Sequence, residues 1–168
     1  MATKIIDTNV PLTASQALPH QQECQQRCIQ FLRQLLNEEI KFVADEDGLF
    51  YKEYRHHLYP DPNPSAAIGS QFLSYFITNQ YDNMLCSRVS LTQVNNEFVD
   101  FPVDPDLSRF DRSDRKWVAA AKQLLMKNQE VAPIVNAVDS AWAHFEAALN
   151  NHGVAIDFLC DKTHLKKD

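Results

Sequence analysis

Glycine is scarce in this chain, at 3 of 168 residues. It is the residue that enters a left-handed backbone without steric cost, so few loops here are expected to need one. Long apolar runs are missing too. None approaches the roughly eighteen residues of a membrane helix, and no membrane association is expected. No basic segment followed by an apolar stretch opens the sequence, so no signal peptide is expected. Positive charge is in deficit, with a formal net charge of −6 at pH 7. That excludes a protein that holds nucleic acid by bulk positive charge. It does not exclude an enzyme that acts on nucleic acid, because a carboxylate-lined cation site carries negative charge that its ions offset. Cysteine is limited to Cys24, Cys28, Cys86 and Cys160, scattered among apolar neighbours. They are expected to be reduced core thiols of a cytoplasmic protein.

What is present is an ordinary globular composition. Hydrophobic residues make up 45%, and the length suits one domain with a sizeable core. A single domain over 1–161 is expected, followed by a polar, frayed tail over 162–168. The β-branched run Lys4-Ile5-Ile6 stops abruptly at Asp7-Thr8-Asn9. This reads as a buried strand with a polar carboxyl-terminal end. Pro11 to Pro19 reads as a connection. His20 to Asn37 has helical periodicity, with Cys24, Cys28, Phe31, Leu32 and Leu35 on one face. His20, Cys24 and Cys28 recur at i, i+4, i+8, a spacing that can present zinc ligands. No fourth ligand is evident nearby, so a plain core face is the favoured reading.

Lys41 to Ala44 is a second strand, closed by Asp45-Glu46-Asp47-Gly48 as a turn and helix cap. The helix from Leu49 to Leu58 places Glu53 on the same face as Phe50 and Tyr54. A carboxylate there needs a partner: Arg55, His56 or His57 nearby, or a cation. Three prolines in Tyr59 to Pro64 make an extended loop. A helix over Gly69 to Gln80 follows, then an ambiguous Met84 to Leu91 and a weak strand over Phe98 to Val103. Asp111 and Ser113 are placed to cap a helix that runs to about Lys127. Asp114 falls on its buried face with Trp117 and Val118. Pro133 to Val138 is a strand ending at Asp139. Ser140 to Asn151 is a helix ended by Gly153, and Val154 to Leu159 is the last strand.

Strands alternating with helices imply a three-layer α/β/α, Rossmann-like sandwich with a mainly parallel sheet. Asp7 and Asp139 each end a strand; Glu53 and Asp114 each lie early in a helix and face inward. In a parallel sheet all four can meet at one edge. Four bare carboxylates repel, and divalent cations with hard oxygen ligands, Mg²⁺ or Mn²⁺, resolve the repulsion. The chemistry that follows is metal-assisted hydrolysis of a phosphodiester. A phosphatase with an aspartyl nucleophile is disfavoured, because Asp7-Thr8-Asn9 offers no second acid close after the first.

Four segments together resemble the PIN-domain nuclease family: Ile6-Asp7-Thr8-Asn9; Glu53 on the second helix; Phe110-Asp111-Arg112-Ser113-Asp114-Arg115-Lys116-Trp117; and Val138-Asp139-Ser140-Ala141-Trp142. The resemblance spans most of the chain. It implies a PIN-like α/β/α sandwich that cleaves RNA, or less often single-stranded DNA. Asp7, Glu53, Asp114 and Asp139 would be the catalytic acids and the Mg²⁺ or Mn²⁺ ligands. Thr8 or Asn9 would orient Asp7 or the attacking water. Apart from the resemblance, Arg109, Arg112, Arg115 and Lys116 cluster around the third segment, where they either contact substrate phosphates or form a solvated face at a helix start. The resemblance further implies, as partners, an antitoxin or defence-system protein and a second copy of the chain in a homodimer. One departure stands out. Many relatives carry a second acid two residues after the first in the last segment, and here that position is Ala141. This implies a weakened metal site, and with it an alternative reading: a PIN-like binding or regulatory module without catalysis.

Overall fold

The computed structural model describes residues 1–16 and 19–161; the expected tail over 162–168 lies outside them. The first strand, β1 (Ala2–Ile6), is followed at once by a short helix, α1 (Asn9–Ser15). The stretch from Pro11, expected as a connection, is therefore helical as far as Ser15. Pro11 sits in the first helical turn, where its missing N–H removes no intrahelical bond. The remainder of that expected connection includes residues 17 and 18, outside the described residues. A 3₁₀ turn (Pro19–Gln21) leads into α2 (Gln22–Leu36), which buries Cys28, Phe31, Leu32 and Leu35 as its periodicity predicts.

β2 (Ile40–Asp45), α3 (Leu49–His57), α4 (Ile68–Asn79) and β3 (Cys86–Val89) come next. The ambiguous stretch around Cys86 is thus a strand, and it pairs with β2 from Phe42↔Cys86 to Asp45↔Val89. The weak segment over Phe98 to Val103 is mostly irregular. Only its first residue is extended, in a two-stranded ribbon of β4 (Gln93–Val94) and β5 (Glu97–Phe98). Asn95 and Asn96 turn that ribbon with φ of 54° and 63°. Two consecutive positive φ values are the geometry of a two-residue hairpin, and asparagine tolerates it. The chain closes with α5 (Arg115–Asn128), β6 (Ile134–Asn136), α6 (Ser140–Asn151) and β7 (Ile156–Phe158).

The main sheet has five strands, all parallel, in the order β3-β2-β1-β6-β7. Helices flank it, and the architecture is the expected three-layer α/β/α, Rossmann-like fold. The order places a topological switch between β1 and β6. The chain builds outward from β1 through β2 to β3, then returns to β6 and builds the other way to β7. In such sheets the crevice beyond the strands' carboxyl ends at the switch is where ligands bind. An aromatic cluster supports that edge: Trp117 of α5 stacks on Phe50 at 4.3 Å and on Tyr54 at 5.8 Å between ring centroids. Among the described residues, no helix is long and apolar enough to cross a membrane.

Candidate functional site

Asp7 directly follows β1; β6 is shorter than expected, ending at Asn136, so Asp139 lies beyond it in the loop that caps α6. Asp7 still belongs to the ladder, its N–H donating to the Val135 carbonyl at 3.2 Å. Its side chain is 5% exposed. Trp142 Nε1 donates to Asp7 Oδ2 at 2.6 Å, and the Asn9 backbone N–H donates to Oδ1 at 3.2 Å. Burial pushes the Asp7 carboxyl up to about 6, and Asp139 nearby adds to the rise. The two hydrogen bonds and the Lys116 ammonium oppose it.

Asp114 ends a 3₁₀ turn (Arg112–Asp114) just before α5, and is half-buried. The Asp111 carboxylate caps that turn, accepting from Ser113 N and Ser113 Oγ at 2.8 Å each, as its expected capping role requires. Burial, with Asp7 and Asp139 close by, pushes Asp114 up to about 7. The charge of Asp139 thus acts on Asp7, and those of Asp7 and Asp139 on Asp114, at one edge of the sheet. The loop of Asp139 is clamped by Asn9 and Asn136. Asn9 Nδ2 donates to Asn136 Oδ1 at 2.9 Å, and Asn9 Oδ1 accepts from Ala137 N at 2.7 Å. Asp139 then caps α6, its Oδ1 accepting from Ala141 N at 2.9 Å.

Glu53 reaches the same edge from α3. Its partner is none of the neighbours considered from the sequence, but Lys116 from the start of α5, with Nζ–Oε2 at 3.1 Å. Lys116 is 7% exposed; it also donates to the Ser113 carbonyl and lies 4.8 Å from the Trp117 ring centroid. The arrangement is therefore a ring of acids with a buried ammonium in it. It is not a tight carboxylate cage. Among the described residues, one set of three acidic, histidine or cysteine side chains brings its ligand atoms within 4.8 Å of one another, and its ligand atoms are the sulfurs of Cys24, Cys28 and Cys160.

The remaining candidates have mixed placements. The Asn9 amide is fully engaged in the loop clamp, so it orients Asp7 through its backbone. Thr8 Oγ is buried with no hydrogen-bond partner. Arg115 is turned inward: it pairs with Glu97 at 3.2 Å, donates to the Phe110 carbonyl and lies over the Phe101 ring. Arg112 also pairs with Glu97, but its side chain is 77% exposed. Arg109 is exposed.

Trp142 is the site residue that sequence reasoning missed, since its periodicity marks it as core. The signal was its indole N–H, which a buried tryptophan usually places on an acceptor, although Trp117, equally buried, does not. Cysteine also departs from expectation. Cys28 and Cys86 are free and buried, but Cys24 and Cys160 are joined by a disulfide across 136 residues. Compared with known proteins, the chain matches no family model, no curated protein and no solved structure.

Proposed function

We propose that this protein is a divalent-cation-dependent phosphodiester hydrolase of PIN type, with RNA favoured over single-stranded DNA. The observation that carries the reading is the meeting of Asp7, Asp114 and Asp139 at the switch point, where burial and mutual repulsion raise the first two. Acids held together against repulsion are costly unless a cation or a proton enters the group. The donor chemistry suits Mg²⁺ or Mn²⁺, all hard oxygen with the Thr8 hydroxyl lacking a partner, but no three of these carboxylates bring their oxygens within 4.8 Å of one another, so the side chains would have to turn inward or bind through water. Asp7, Asp114 and Asp139 would hold the ion, and Glu53 would join them by leaving Lys116. Bound there, the ion supplies charge neutralisation and a more acidic water. Trp142 and the Asn9 N–H fix both oxygens of Asp7, and Thr8 Oγ offers a hydrogen bond to water at that edge. Arg112 and Arg109 are the exposed cations placed to meet substrate phosphates.

The Lys116–Glu53 ion pair, together with Ala141, favours a second reading. Glu53 already has a cation from within the chain, as expected of a PIN-like binding or regulatory module that acts with a protein partner. The two readings separate in a cleavage assay with Mg²⁺ and Mn²⁺ on labelled single-stranded RNA, tRNA and single-stranded DNA. Metal-dependent cutting that disappears in Asp7→Asn supports the hydrolase. Silence from this chain under every metal, with the fold intact, supports the module.

A further inference from the structure

The cysteine cluster forms a second centre with different chemistry. Cys24 and Cys28 lie one turn apart on α2, so both side chains fall on one helix face. β7 ends at Phe158, and two residues later Cys160 arrives at the same face. The three sulfurs lie within 4.8 Å of one another. In a tetrahedral zinc–thiolate site, with Zn–S near 2.3 Å, neighbouring sulfurs are about 3.8 Å apart, so small side-chain rotations bring these three to that spacing. The fourth ligand missing from the helix itself is supplied by tertiary structure. His20 and Cys24, four residues apart, line one cavity of about 310 Å³ together with Cys160. His20 is exposed, on the 3₁₀ turn before α2; its ring nitrogens lie outside the 4.8 Å group of sulfurs, so it completes the set by turning its side chain across the cavity.

We propose that Cys24, Cys28, Cys160 and His20 form a zinc site in the reduced protein. Three thiolates and an imidazole are a closed donor set for a structural zinc, and their softness selects against the Mg²⁺ or Mn²⁺ that carboxylates prefer. The disulfide and the metal site are alternative states of one cluster. A dithiol reductant transfers two electrons and two protons to the Cys24 and Cys160 sulfurs and closes into its own disulfide. Each thiol then releases a proton as it becomes a ligand. The cavity also contacts Ala137 and Val138, just before Asp139. A metal here joins the start of α2 to the end of β7 behind the loop that carries that acid. The proposal does not rest on hydrolysis at the carboxylate edge.

The test is cobalt titration of the full chain after anaerobic reduction by dithiothreitol and desalting, with all 4 thiols shown to be alkylatable by mass. The expected result is thiolate-to-cobalt charge transfer with tetrahedral d–d bands, saturating at a single equivalent and bleached by zinc. Cys28→Ser and Cys160→Ser should each lower the charge-transfer intensity by about a third or more, since each removes one of three thiolates. His20→Ala should shift the d–d bands, and Cys86→Ser, a change in β3, should leave the spectrum unaltered. Absence of the charge-transfer band in the reduced parent chain overturns the proposal without reference to any variant's folding. Survival of the full band in both Cys28→Ser and Cys160→Ser overturns it equally. Cleavage activity is not read in this experiment, so its failure and failure of the hydrolase reading are distinguishable.

Discussion

Asp7 is buried, its carboxylate held by one indole N–H and one backbone N–H. Trp142→Phe keeps the packing and removes the indole donor. Partners of this kind typically contribute 10–100-fold to metal affinity. We expect Mn²⁺ affinity to fall by about tenfold in Trp142→Phe, measured by titration calorimetry; an unchanged affinity would remove Trp142 from the site. Asp114 makes a prediction about pH. Both carboxyls hold a proton more tightly in the folded state, at about 6 and about 7, than at the ordinary value of 3.8. Between pH 4 and 7, roughly, the folded chain binds more protons than the unfolded one, so stability decreases as pH rises through that window. Metal-free protein should therefore melt at a higher temperature at pH 5 than at pH 7.5. Asp114→Asn should flatten that slope and add roughly 1–3 kcal/mol at pH 7.5. A melting series that leaves the slope unchanged would show that the acids do not repel as described.

At the scale of elements, two contacts set where the site-bearing helices lie. Gly69 lets α4 approach α1: its N–H donates to Ser15 Oγ at 2.9 Å. A methyl group at that position would lie 2.8 Å from the Pro11 carbonyl oxygen and 2.4 Å from Ser15 Oγ. Because one obstacle is backbone, Gly69→Ala should cost about 1–3 kcal/mol in denaturant unfolding, as overpacking does. A neutral result would mean that α1 shifts freely. α3 is anchored by Asp45, whose carboxylate accepts from Leu49 N and Phe50 N at 2.8 Å each. Asp45→Ala should destabilise by about 1 kcal/mol, the usual effect of losing a helix cap. Because α3 carries Glu53, it should also weaken the Glu53–Lys116 pair, seen as a shifted Lys116 ammonium resonance in NMR.

For the molecule as a whole, the strand order brings distant acids to one edge. β1 and β6 are neighbours although 127 residues separate Asn9 from the Asn136 that it bonds. Ala141 stands in the first turn of α6, and its N–H already serves Asp139. If a ligand is missing there, Ala141→Asp should raise Mn²⁺-dependent cleavage of single-stranded RNA at least severalfold over the parent chain. Equal rates would show that the position is no vacancy.

Strand and helix periodicity were legible because each depends on local alternation of apolar and polar residues. Asp7 at a strand end and the Asp111 cap could be placed from their neighbours alone, whereas Asp139 lies beyond β6 as the cap of α6 and Asp114 lies half-buried in the turn before α5. The parallel sheet followed from alternation of element type. The short helix α1, read as a connection, and the irregular 98–103 segment, read as a weak strand, were not legible, and three further features were illegible because each joins residues far apart in the chain. Lys116 pairs with Glu53 because α5 begins beside α3. Trp142 meets Asp7 because β6 lies against β1. Cys160 bonds Cys24 and comes near Cys28 because β7 ends at the start of α2. Local sequence determines which face a side chain presents; only the order of strands in the sheet decides what that face meets.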